Sequence, residues 1–187
     1  ENLLSLSGTI YGSTITATGA ETAWNATYTL LDTDNDIAII PFSLTITDLA
    51  GNQTIIDQTN VTDGSAVNYD KTNPELTAFN IVSTNNDPTR ATVGDTITIT
   101  VTINEALSSL SGTIANATAT VSGSDVTWTV TYTLTDTETD ASPMPFSLTL
   151  TDLAGNQSIK TQADVSSSII FDKTPPVITS NIVDSIN

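Results

Sequence analysis

One fifteen-residue stretch occurs twice in this chain, and it constrains the architecture more than any other feature. Pro41–Ile55 reads PFSLTITDLAGNQTI and Pro145–Ile159 reads PFSLTLTDLAGNQSI. The copies differ only at Ile46/Leu150 and Thr54/Ser158, and they begin 104 residues apart, at positions 41 and 145. Internal repetition fixes the domain count before any other reading. In a chain of 187 residues it implies tandem modules, each large enough for a core of its own. Function is then sought in the modules and the joints between them rather than in one catalytic pocket.

Charge narrows the function classes. The formal net charge is −17, with 21 acids and four bases: Lys71, Arg90, Lys160 and Lys173. Nucleic acid is excluded as a partner class, because phosphate contacts need clustered cations. Self-repulsion on this scale calls for metal cations or salt as counterweight. With no cysteine and no histidine, there is no disulfide scaffold, and zinc sites and histidine-based catalysis lose their usual ligands and bases. The sequence also has no membrane-length apolar run and no signal peptide, so an exported protein would be present here as a mature or internal fragment. No nucleophile-and-base pair or marked carboxylate cleft is recognisable, and an enzyme is not expected.

Strand patterning fills in the second copy. Leu76–Ser83 reads as an opening strand and Asn85–Arg90 as a turn. Over Asp95–Ile103, Ile97, Ile99, Val101 and Ile103 alternate with threonines, the period-two signature of a strand buried on one side. Leu110–Ile114 and Ala117–Val121 are weaker strands. Val126–Thr135 is strong, with Val126, Trp128, Val130, Tyr132 and Leu134 inward. Pro145 opens a strand that points Phe146, Leu148 and Leu150 inward, and Gln157–Phe171 reads as one long, bulged last strand. About seven short strands without helical periodicity predict an all-β chain of antiparallel sandwiches of the immunoglobulin class. Trp24 and Trp128 read as core packing, with a sugar-stacking platform as the competing reading.

The repeat frame gives three segments: residues 1–73, a partial module lacking its first two strands; 74–175, a complete module; and 176–187, the first strand of a following one. Glu1 aligns with Glu105, and Pro176–Asn187 resembles Pro74–Asn86. A half-sandwich exposes strand edges, so the missing strands are expected either from a longer array or from a neighbouring molecule. The joints, Tyr69–Pro74 and Phe171–Pro176, carry prolines that make them short and stiff.

Gly94-Asp95, Asn104-Glu105-Ala106, the two Asp-Leu-Ala-Gly-Asn loops (48–52 and 152–156), and Asp70–Pro74 with Asp172–Pro176 together resemble the bacterial Ig-like repeats of large cell-surface proteins: adhesins, surface-layer proteins and filaments. The resemblance covers essentially the whole chain. It implies an extracellular structural segment and calcium between modules.

Strand alternation predicts which ligands could meet. At the entry end of the complete module lie Asp70, Glu105, Asp152 and Asn156, the last two having Asp48 and Asn52 as counterparts in the first copy. Asp32, Asp34 and Asp36 come from the exit end of the preceding module. At the next joint Asp172 is expected near Asp136, Asp140, Asn85 and Asp87. Oxygen-only ligands suit Ca2+ rather than zinc or copper. The competing reading makes these residues ordinary turn formers, with glycine supplying a positive φ and aspartate capping the loop. The expected partners are neighbouring modules of the same or adjacent chains, including strand donation. The alternative function is a carbohydrate- or ligand-binding module of a secreted protein, with a glycan or host-surface ligand. Asn25, Asn52, Asn60, Asn116 and Asn156 head glycosylation sequons at about chance frequency. A lysine–asparagine isopeptide bond has no identifiable triad.

Overall fold

The computed structural model describes residues 1–180 and divides the chain into two units, Glu1–Thr72 and the part from Asn73 on. The first contains β1 (Leu3–Ile10), β2 (Ser13–Thr14), β3 (Thr16–Ala20), β4 (Ala23–Thr27), β5 (Phe42–Asp48) and β6 (Gln53–Asp57). The second contains β7 (Leu76–Ser83), β8 (Arg90–Ala91), β9 (Thr96–Ile103), β10 (Leu107–Ile114), β11 (Ala117–Thr118), β12 (Thr120–Ser124), β13 (Thr127–Thr133), β14 (Phe146–Asp152), β15 (Gln157–Thr161) and β16 (Ile170–Phe171). The protein is all-β.

The second unit has two four-stranded antiparallel sheets, ordered β12-β13-β9-β7 and β11-β10-β14-β15. They share one core, in the manner of a sandwich. The alternation predicted for β9 is realised in full: Ile97, Ile99 and Val101 are completely buried and Ile103 nearly so, while the intervening threonines are half-exposed. Phe146, Leu148 and Leu150 of β14 face them from the opposite sheet, and Phe79 of β7 stacks on Phe146 with ring centroids 5.3 Å apart. Branched side chains at every second position suit a pleated surface buried on one side.

The expected long last strand is instead broken in two. β15 stops at Thr161, where a reciprocal cap forms: the Thr161 hydroxyl accepts from Ala163 N, and Asp164 Oδ2 accepts from Thr161 N at 2.7 Å. This cap turns Gln162–Asp164 into a 3-10 turn. The chain then crosses to β16, which pairs in parallel with β8, so the unit is not wholly antiparallel. Period-two alternation could not report this, since a side-chain cap set the break and a distant strand set the pairing.

The first unit repeats the second with strands missing. β1, β2, β5 and β6 form the counterpart of the β11-β10-β14-β15 sheet, whereas among the described residues β3 and β4 pair only with each other. Nothing in this unit corresponds to β7 or β9 among the described residues. The energetic consequence is direct. Among the described residues, all 17 buried apolar residues lie at or beyond Ile81, in the second unit. Phe42, Leu44 and Ile46 are only half-buried, although their counterparts Phe146, Leu148 and Leu150 are 4%, 0% and 0% exposed.

The sequence predicts a strand of a third module over 176–187. Pro176–Ser180 forms no strand, with Val177 and Ile178 exposed, and 181–187 lie outside the described residues.

Candidate functional site

The Asp-Leu-Ala-Gly-Asn loops close β5 onto β6 and β14 onto β15. In each, the aspartate ends a strand and gathers the loop's donors. Asp152 Oδ1 accepts from the backbone N–H of Gly155 (2.6 Å) and Asn156 (2.8 Å), and Oδ2 accepts from Asn156 Nδ2 at 2.8 Å. Asp48 does the same with Ala50 N, Asn52 N and Asn52 Nδ2, each at 2.8 Å. The Asn52 side chain, and then its backbone N–H, hold the Asp48 carboxyl below its ordinary pKa. Gly51 and Gly155 take φ values of +92° and +98°, which glycine adopts without a steric penalty. The motif is thus a carboxylate-centred turn. It is exposed enough in the first unit to leave Asp48 half-buried, and closed over in the second, where Asp152 is 1% exposed.

In the second unit, a further carboxylate meets this turn. β9 ends at Ile103, Asn104–Ala106 reverse the chain, and Leu107 at the start of β10 pairs with Asp152. Glu105 is thereby carried beside Asp152, and each offers a carboxylate oxygen within 4.8 Å of the other's. The strand that enters the unit is pinned at the same end. Glu75 N donates to Asn104 Oδ1 at 2.8 Å, Asn104 N donates to Glu75 O at 3.0 Å, and Lys160 Nζ bonds the Glu75 carboxylate. Two oxygens bound to one calcium at 2.3–2.6 Å can be at most about 5 Å apart, so the spacing fits a shared hard cation. The donor set is oxygen-only, which is the right chemistry for Ca2+ and the wrong one for a soft metal. Asp70 belongs to the first unit. It directly follows Tyr69, which bridges to Ile37, and its Oδ1 accepts from Thr72 N at 3.0 Å.

The remaining predicted ligands are engaged with protein donors. In the first unit, Asp36 accepts from Lys71 N at 2.9 Å and from the Thr72 hydroxyl, which lowers its pKa, with the hydroxyl as the main cause. Lys71 Nζ donates to the backbone carbonyls of Asp32 and Asp34. The second unit repeats this: Asp140 accepts from Lys173 N (2.9 Å) and Thr174 Oγ1 (2.6 Å), Lys173 Nζ reaches Asp136 O at 2.7 Å, and Asp172 Oδ1 accepts from Thr174 N. Asn85 donates to Asp95, and Asp87 accepts from Thr89 and pairs with Arg90. Among the described residues, none of Asp34, Asp36, Asp87, Asp136, Asp140 and Asp172 joins a group of three carboxylates close enough for one ion. The Asp-Lys-Thr joints therefore act as clasps, in which a lysine and a threonine close the acidic turn of their own unit.

Sequence reasoning missed Glu138. It is 8% exposed and accepts from Tyr132 OH (2.6 Å), Thr135 N (2.7 Å), Thr135 Oγ1 (2.8 Å) and Thr137 Oγ1 (3.1 Å). The Tyr132 hydroxyl is the main cause of a carboxyl pKa pulled down to about 2. Asp34 is its counterpart and accepts from Tyr28 OH and Leu31 N. The signal was available: both copies place a tyrosine six residues before the acid.

Trp24 and Trp128 are half-buried. Trp128 lies against the core and donates from Nε1 to Asp125 O at 3.0 Å, which supports packing over an exposed stacking platform. No helix among the described residues is long and apolar enough to cross a membrane. Comparison with protein-family models gives no match, and comparison with curated proteins gives none either.

Proposed function

We propose that this chain is a structural repeat segment of an extracellular surface protein, a stalk, surface layer or filament built of Ig-like modules, whose junctions are stiffened by calcium. The observation that carries the reading is the Glu105–Asp152 pair, set at the end where the chain enters the second unit.

Two further features support a mechanical role. The acids and loop asparagines are organised into turns and clasps rather than around a cleft, and the same devices recur in both units. The high negative charge gives a divalent ion a large effect at a joint, where carboxylates otherwise repel. Ion concentrations of ten to a hundred times the dissociation constant stabilise the bound form by about 1.4–2.7 kcal/mol. That is modest for a domain and ample for fixing a joint. Its partners in this reading are neighbouring modules of the same or adjacent chains.

Small-angle scattering of the chain with calcium and with chelator tests the proposal. Calcium is expected to narrow the distribution of particle dimensions without altering the far-ultraviolet circular dichroism of the sheets. Identical scattering profiles in the two conditions would refute it.

A further inference from the structure

Five asparagines head Asn-x-Ser/Thr triplets, and the fold separates them by what each side chain is doing. N-glycosylation joins a sugar to the amide nitrogen, Nδ2, of an asparagine on the protein surface. Asn52 and Asn156 donate that nitrogen to Asp48 Oδ2 and Asp152 Oδ2, each at 2.8 Å, as part of the loop that turns the chain. Asn60 closes the cap of a 3-10 turn, its Oδ1 accepting from Asp57 N at 2.9 Å. Asn25 lies in the middle of β4, in register with Thr18, and the Thr27 hydroxyl of its triplet is turned onto Thr16 O.

Asn116 differs from all four. Ile114 pairs with Ala117, so Ala115 and Asn116 form the tip of the β10–β11 hairpin, with φ values of +51° and +64°. Asn116 and Thr118 are exposed, and among the described residues neither side chain makes a hydrogen bond. Thr118 belongs to a strand of two residues at the sheet edge, so little pairing holds the triplet in the ladder. The turn itself does not require asparagine. Its counterpart in the first unit is Tyr11-Gly12, with φ values of +55° and +74°, and glycine adopts that conformation at lower cost. Asn116 gives the turn nothing that glycine would not; what it adds is an uncommitted amide at the hairpin tip.

We propose that Asn116 is the N-glycan acceptor of this chain. The donor is an oligosaccharide carried on a lipid phosphate or pyrophosphate, and an oligosaccharyltransferase performs the step. Nδ2 attacks C1 of the first sugar and the C1–O bond to phosphate breaks. The lipid phosphate leaves with the electron pair, and one Nδ2 proton passes to a base of the transferase. Thr118 completes the triplet that the transferase reads. The proposal rests on the extracellular reading above, which carries the chain past the membrane where such donors are held.

The test uses the folded full chain, a lipid-linked oligosaccharide and an oligosaccharyltransferase that modifies the heat-unfolded chain at Asn-x-Ser/Thr. Run in vitro, it reads the acceptor site independently of where the protein resides, so its failure is distinct from failure of the extracellular reading. Peptide mapping by mass spectrometry is expected to find the glycan on Asn116. It should appear there at least about tenfold faster than on the other four asparagines, whose segments must first open locally. Asn116→Gly, which copies the turn of the first unit, and Thr118→Ala are expected to lose the glycan, and Thr118→Ser to retain it. The proposal is overturned if Asn116 stays unmodified in the folded chain while the unfolded chain is modified. It is also overturned if another of the five asparagines is modified as fast in the folded chain, or if Thr118→Ala still carries the glycan.

Discussion

Val67 and Ile169 occupy equivalent places in the two repeats, yet Val67 is 62% exposed and Ile169 is wholly buried. The difference lies in what covers them: among the described residues, only the second unit carries β7 and β9. Substituting Ile169→Ala is expected to cost about 2–5 kcal/mol, the usual range for a large core truncation. Val67→Ala should fall within about 0.5 kcal/mol, as exposed changes do. Denaturant unfolding of the two variants, followed by hydrogen exchange in each unit, checks the contrast.

The Tyr132–Glu138 clasp predicts a pH dependence with a defined sign. The folded-state pKa of Glu138 is about 2 against an ordinary value of 4.5. Its contribution is therefore complete above pH 4.5 and is lost as pH falls toward 2. Tyr132→Phe removes a hydrogen bond to a charged acceptor and is expected to cost about 1.5–3 kcal/mol at neutral pH. Glu138→Gln should flatten the acid limb of stability against pH, as measured by thermal unfolding of the second unit between pH 2 and 6.

Asp152 holds its loop through three hydrogen bonds while almost fully buried. Asp152→Ala leaves those donors without their acceptor, an expected loss of at least about 2 kcal/mol. The same change at Asp48, whose loop is more exposed, should cost less. Gly155→Ala forces a side chain into positive φ and is expected to cost about 1–2 kcal/mol. Chemical denaturation ranks all three.

How much of this was legible beforehand depended on the range of the interaction. β9 and β14 could be read from alternation, because each buries one face and the period survives any tertiary arrangement. The two loops could be read because an aspartate, a glycine and an asparagine within five residues define a turn by themselves. The adjacency of Glu105 and Asp152 followed from strand direction alone. Three features depended on contacts that pattern does not encode. The Thr161–Asp164 cap interrupts what alternation reads as one strand. The parallel pairing of Ile170–Phe171 with Arg90–Ala91 joins segments about 80 residues apart. Glu138 is buried by a tyrosine hydroxyl, so its charge disguised it as a surface turn residue. The groups that reach Asp34, Asp36 and Asp140 were equally hidden: composition shows the carboxylates but not the tyrosine, lysine and threonine donors that the fold brings to them.

Calorimetric titration with calcium tests the structural reading most directly, comparing the unmodified chain with Glu105→Gln. The unmodified chain is expected to bind with a dissociation constant on the order of 10⁻⁵–10⁻³ M, and loss of the Glu105 charge to weaken binding at least about tenfold, since affinity follows ligand charge. Absence of binding heat up to about 10 mM calcium, well above that range, or equal affinity in the two proteins, would contradict it.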